Sequence, residues 1–80
     1  LKLSEQGFFK RLLEAYPDLT PNDLRLCSYL RMNFSSKEIA KLLNISARGV
    51  EISRYRLRRK LHIGHEVNLT EFLMQEKWEK

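Results

Sequence analysis

The residues best suited to chemistry lie between Arg48 and Lys60. Six basic side chains (Arg48, Arg54, Arg56, Arg58, Arg59, Lys60) and one acid (Glu51) give that segment a charge of +5, while the nine basic and nine acidic residues elsewhere cancel. Charge of one sign cannot be neutralised within the segment, so it suits an anionic partner. Two other groups invite different chemistry. His62 and His65 form His-x-x-His across Ile63-Gly64, but two histidines without a nearby carboxylate–cysteine set do not make a zinc site. Cys27 is the single cysteine. It lies in the apolar stretch Leu24–Leu30 and reads as a core thiol rather than a nucleophile. No Ser/His/Asp set and no glycine-rich phosphate loop is present. The expectation is no enzyme, no metal and no cofactor.

Projected as a helix at about 100° per residue, the segment from Ala47 to Leu61 separates into faces. Val50, Leu57 and Leu61 fall in one narrow sector and should face a core. Arg48, Glu51, Ile52, Tyr55 and Arg59 cluster opposite. Arg54 and Arg58 flank one side of the core sector, and Ser53, Arg56 and Lys60 flank the other. An α-helix fits the major groove of B-DNA, where base edges carry a distinguishable donor and acceptor pattern. The outermost side chains Arg48, Glu51, Ile52, Tyr55 and Arg59 are therefore the candidate base contacts. Ser53, Arg54, Arg56, Arg58 and Lys60, on the flanks, are candidate phosphate contacts, which supply affinity and register. Ile52 is an apolar residue among polar ones, suited to a thymine methyl. Tyr55 offers a hydroxyl and a flat apolar surface. Glu51, repelled by phosphates, has two roles open: accepting from a cytosine amino group, or holding Arg48 or Tyr55.

Helix punctuation shows how this segment is positioned. Ser4 is a candidate cap for a first helix ending at Tyr16, before Pro17. Phe8, Phe9, Leu12, Leu13 and Tyr16 fall at helical spacing. Thr20-Pro21-Asn22-Asp23 opens a second helix to about Met32, with Asn33 able to take the left-handed conformation that ends it. Ser35-Ser36-Lys37-Glu38 is a capping box for a short helix through Leu43. Asn44-Ile45-Ser46 makes a tight turn, and Ser46 caps the next helix. Gly64 breaks the pattern. Asn68 opens a last helix carrying Leu69, Phe72 and Leu73, with Trp78 near its end. No stretch alternates like a strand. The predicted fold is all-α, a helix-turn-helix domain of about five helices: a four-helix core and an N-terminal helix.

With 80 residues, the chain is one domain, burying roughly 60% of its unfolded surface and leaving little room for a deep cleft. No apolar run approaches the ~18 residues that cross a membrane, so no membrane contact is expected of this segment. The lone cysteine fits a reducing, cytoplasmic setting. The chain starts at Leu1 without a methionine and reads as a piece of a longer protein, whose other parts can include a membrane anchor.

The stretches L-T-P-N-D-L, S-S-K-E-I-A-K-L-L-N-I-S, G-V-E and L-R-R-K-L align without gaps over Leu19–Ile63. Together they resemble the LuxR/FixJ/NarL-type (GerE-like) helix-turn-helix domain of bacterial transcription regulators. The resemblance implies that the helix after the turn enters the major groove with Glu51, Ile52 and Tyr55 facing it. Lys37 matches a lysine that approaches the DNA backbone, making it a further phosphate contact. Ser53 stands where the family often has a phosphate-contacting histidine. Gly49 replaces a usual threonine, Glu51 a common lysine, and Arg54 and Arg58 usually apolar residues. The last helix resembles the family's fourth, which commonly forms a dimer interface, here through Leu69, Phe72, Leu73 or Met74. The run R-Y-R-L-R-R-K-L resembles a branch found at the C-terminus of larger sensor-regulators.

The implied organisation is an N-terminal helical extension (1–18), a helix-turn-helix core (19–63) and a C-terminal helix (64–80). The expected partners are double-stranded DNA, a second copy of the chain on that DNA, a regulatory domain in the parent chain, and RNA polymerase. Two rival readings remain. One is a helical protein-interaction module using Phe8, Phe9, Phe72 and Trp78, although those aromatics are also needed to complete a thin core. The other is a sigma-factor region-4-like polymerase and promoter binder, for which an extended basic tail is expected, whereas this chain ends in Glu76, Lys77, Glu79 and Lys80.

Overall fold

The computed structural model describes the backbone of residues 2–79 and the side chains of residues 6–79. It is all-helical over that range: α1 (Lys2–Ala15), α2 (Pro21–Arg31), α3 (Ser36–Leu43), α4 (Ala47–Lys60), α5 (Leu69–Leu73) and a 3-10 turn (Glu76–Trp78). Lys80, counted in the charge-balanced end, lies outside the described residues.

The caps account for most of the boundaries. Thr20 Oγ1 accepts from the Asp23 amide at 3.1 Å while the Asp23 carboxylate accepts from the Thr20 amide at 2.9 Å, a reciprocal box that starts α2. Ser35 and Glu38 repeat the device at α3, at 3.1 and 2.7 Å. At α4 only half of it survives. Ser46 Oγ accepts from the Gly49 amide at 2.9 Å, and glycine has no side chain to return the bond. Asn68 Oδ1 accepts from the Glu71 amide at 2.9 Å to open α5. Helix α1 is already under way at Lys2, so Ser4 lies within it rather than ahead of its first turn, and its side chain lies outside the described ones.

Helices α2, α3 and α4 all end on one backbone device. Asn33 (φ 66°), Asn44 (φ 57°) and His62 (φ 58°) each take the left-handed conformation. The next residue's amide then reaches back to the carbonyl five positions earlier: Phe34 to Tyr29 at 3.1 Å, Ile45 to Ala40 at 3.0 Å and Ile63 to Arg58 at 3.1 Å. Phe34 also stacks on Tyr29, with ring centroids 5.8 Å apart, the apolar contact that accompanies such an ending. None of the three positions is glycine. Asparagine tolerates this region, and His62 also lays its ring against Tyr16 at 6.2 Å. Helix α4 therefore ends at Lys60, with the left-handed His62 turning the chain before Gly64.

Every helix contributes to one core: Phe8 and Leu12 from α1, Leu26, Cys27 and Leu30 from α2, Ile39 and Ala40 from α3, Val50 and Leu57 from α4, Leu69 and Leu73 from α5, with Leu19, Leu61 and Trp78. Helix α3 packs on α4, α2 on α5 and α4, and α1 on the 3-10 turn. Phe8 and Trp78 are buried, and Phe9 and Phe72 are packed against the core. The aromatic set thus completes the interior, as a thin core requires.

The last helix is shorter than its sequence suggests. It breaks after Leu73, and the chain re-forms as the 3-10 turn. In a continued helix the Phe72 carbonyl would serve the backbone amide of residue 76. Instead it accepts the Gln75 amide at 3.5 Å and the Trp78 indole N–H at 2.9 Å. The break lets Trp78 fold back onto Phe72 and Tyr16, at centroid distances of 5.7 and 6.0 Å. Of the expected pairing residues Leu69, Phe72, Leu73 and Met74, packing of α5 on α2 leaves Leu69 and Leu73 1% and 0% exposed, as core residues of a single copy. Of the four, Met74 is exposed and Phe72 half-buried.

Candidate nucleic-acid interface

Helices α3 and α4 pack against each other across the turn Asn44-Ile45-Ser46 and form a helix-turn-helix unit. Its interior is built as the helical projection requires: Val50, Leu57 and Leu61 are 0%, 0% and 1% exposed. Burying each such side chain contributes about 1.5–3 kcal/mol, enough to fix how α4 is rotated about its own axis. That rotation turns Arg48, Glu51, Ile52, Tyr55 and Arg59 outward, and all five are exposed. Ile52 and Tyr55 remain 43% and 51% exposed although both are large and partly apolar. With Arg56, Arg59 and Lys60 they line a shallow, mostly apolar concavity on the outer side of α4.

The cations of the segment do not act alike. Arg58 turns inward. Its Nη1 donates to the carbonyls of Gly64 and Val67 at 2.9 and 2.6 Å, tying the 64–67 loop to α4. Lys60 Nζ bonds to the Asp23 carboxylate of α2. Burial works to raise the Asp23 carboxyl, but the hydrogen bonds from Lys60 and Thr20 outweigh it and hold the group below its ordinary value. Arg58 and Lys60, both expected at phosphates, are thus each engaged in holding the fold together. Arg54 is drawn towards Glu51, Nε to Oε1 at 3.8 Å. Ser53 is half-buried, beside Asn22, Asp23, Arg25, Leu26, Leu43 and Ile45, and its short side chain reaches less far than the flanking arginines. Arg48, Arg56, Arg59 and Lys37 are exposed and take part in no ion pair among the described residues.

Glu51 does not hold Arg48 or Tyr55. Its Oε2 accepts from the Ser36 hydroxyl at the start of α3, at 2.5 Å, within the short range of charge-assisted O–H···O bonds. Ser36 is the residue that sequence reasoning missed, since a contact across 15 positions leaves no local signal. Cys27 is fully buried. Burial, with a smaller push from the Asp23 charge, raises its thiol to about 12, which suits a core residue. Among the described residues no three His, Cys, Asp or Glu side chains are grouped to hold a metal, and no helix is long and apolar enough to cross a membrane. A second shallow cleft, lined by Phe9, Pro21, Leu24, Arg25, Ser28 and Tyr29, involves only α1 and α2.

Comparison with known proteins agrees with this geometry. The family described as bacterial regulatory proteins, luxR family (GerE), matches residues 18–73, a span that includes α2 to α5. The tetrathionate response regulatory protein TtrR of Salmonella typhimurium is 34% identical over 55 residues. That match covers 69% of this chain and 27% of TtrR, so the chain spans about a quarter of that relative's length. No solved structure matches the chain. With the family match running through a complete helix-turn-helix unit whose outer face is cationic, the chain belongs to the luxR family of bacterial regulatory proteins and carries the DNA-binding domain of a transcription regulator.

Proposed function

We propose that α4 enters the major groove of double-stranded DNA and reads its sequence, with Ile52 and Tyr55 at the centre of the contact. Glu51, Arg48 and Arg59 lie around them, and Arg56 and Lys37 reach phosphates. The observation that carries this reading is the exposure of Ile52 and Tyr55, at 43% and 51%, in the middle of a cationic face whose reverse side is fully buried. Left in water, both residues expose apolar surface. Against a duplex they gain contact with base edges and thymine methyls.

A single short reading helix gives limited affinity, and helix-turn-helix domains usually bind as pairs on half-sites about one helical turn apart. The proposed functional unit is accordingly two copies on one site, and exposed Met74 is the part of the α5 end still available for pairing. A DNA partner in a bacterium puts this domain in the cytoplasm. The relative's name, a response regulatory protein, supports a parent chain in which another part receives the signal.

Selection of bound sequences from a random duplex pool tests the proposal. An enriched motif with two inverted half-sites is expected, and Ile52→Ala or Tyr55→Ala should flatten the preference at individual positions. If the pool yields no enriched sequence, the domain does not read DNA. If a single unpaired half-site is enriched and bound as a monomer, pairing is wrong while reading stands.

A further inference from the structure

Glu51 is the one acid on the outer face of a helix otherwise built to attract phosphate. A free carboxylate there repels the duplex, and it is costly to desolvate unless hydrogen-bonded. The structure removes both objections. Ser36 donates its hydroxyl to Oε2, and the Arg54 guanidinium stands 3.8 Å from Oε1. The Glu51 side chain nonetheless stays 61% exposed. Each carboxylate oxygen can accept two hydrogen bonds, so acceptor capacity remains on the solvent side, next to Ile52 and Tyr55. A fixed acceptor without a donor on a reading helix suits the N4 amino group of cytosine best, because the N6 amino group of adenine stands beside the N7 acceptor, which would repel a carboxylate.

We infer that Glu51 reads cytosine at one position of each half-site, and that Ser36, on the preceding helix, is the positioning residue that aims it. This deepens the proposed reading of DNA by α4 and rests on it. Ser36 acts by removing rotamer freedom. Held by the α3 hydroxyl, the carboxylate loses less conformational entropy on meeting the base than a free glutamate would. Arg54 offsets its charge against the neighbouring phosphates.

The alternative is that the Ser36–Glu51 bond only braces α3 against α4. Glutamine separates the two. A Glu51→Gln amide still accepts from Ser36, so a brace survives, but it adds a donor and so suits adenine.

The experiment is selection from a random duplex pool with the wild-type chain, Glu51→Gln, Ser36→Ala, Ser36→Thr, Glu51→Ala and the double variant Ser36→Ala/Glu51→Ala. Each is first shown to unfold cooperatively. The wild type should enrich C·G at one position per half-site. Glu51→Gln should shift that position alone towards adenine, by about fivefold or more. Ser36→Ala should weaken the cytosine preference there, Ser36→Thr should restore it, and Ser36→Ala should add nothing once Glu51 is alanine. An enriched motif whose every position is indifferent to Glu51→Gln overturns the inference and leaves DNA reading intact. A motif that responds to Glu51 but not to Ser36 overturns the positioning role. No enriched motif overturns the proposed function and this inference together.

Discussion

The division of the cations in α4 can be measured as salt dependence set against stability. Each phosphate neutralised on B-DNA contributes about 0.9 to the slope of log affinity against log salt, so raising salt from about 50 to about 200 mM weakens binding roughly 3.5-fold per contact. If Arg56 and Lys37 each meet one phosphate, one copy loses on the order of 12-fold over that range. Arg56→Ala should then lower the slope by about 0.9 per copy, with an unchanged Tm. Arg58→Ala should do the reverse. It removes two hydrogen bonds from a guanidinium to the Gly64 and Val67 carbonyls. Bonds to charged groups contribute about 1.5–3 kcal/mol each when buried. This site is only partly buried, so a total of about 1.5–3 kcal/mol is expected, lowering Tm by roughly 6–24 °C. Fluorescence anisotropy with a labelled duplex, in a salt series well below the Tm, reads the slope, and thermal denaturation reads the stability. A slope lowered by Arg58→Ala at unchanged Tm would mean that Arg58 contacts phosphate on DNA, and the partition drawn from these bonds would be refuted.

Three further outcomes are expected. Gly49→Ala should stabilise the domain by up to about 1 kcal/mol, read as a higher Tm, because the new methyl meets Ser46 Oγ at 3.3 Å and otherwise makes ordinary contacts with Ile45 Cδ1 at 3.5 Å and Cβ at 3.7 Å; a lower Tm would mean that the α4 cap cannot yield by those few tenths of an ångström. Asp23 has a folded value below the ordinary 3.8, so its contribution is complete above that pH and is lost as pH falls through the lowered value. Asp23→Asn should therefore be less stable than wild type at neutral pH and converge with it in acid, and denaturant titrations showing a constant gap down to about pH 2 would contradict the linkage. Cys27, with its thiol raised to about 12, should resist alkylation at pH 8 in the folded chain and react once denaturant is added; rapid labelling of folded protein would place it outside the core.

What the sequence revealed was local. Ser35 and Glu38, Thr20 and Asp23, and the left-handed Asn33 act within four or five positions, so composition alone locates the ends of α2 and α3. The inward sector Val50, Leu57 and Leu61 needs only helical geometry, which also yields the outward five. What stayed hidden depends on which group lies opposite. A wheel puts Lys60 and Arg58 on the flanks of α4 but cannot show Asp23 arriving from 37 residues earlier, or two loop carbonyls converging on one guanidinium. Leu69 and Leu73 looked free for pairing because the sequence gives no sign that α5 is drawn fully onto α2. The break after Leu73 accompanies the bond from the Trp78 indole to the Phe72 carbonyl, a contact invisible to periodicity.

Trp78 makes the domain self-reporting. It is the single tryptophan of the chain, and its ring neighbours are Tyr16, Phe72 and Lys77, none of them on α4. Its emission is a label-free optical gauge of whether the junction between the first helix and the C-terminal turn is intact, and spectral change there on adding duplex would register a disturbance travelling beyond the reading helix.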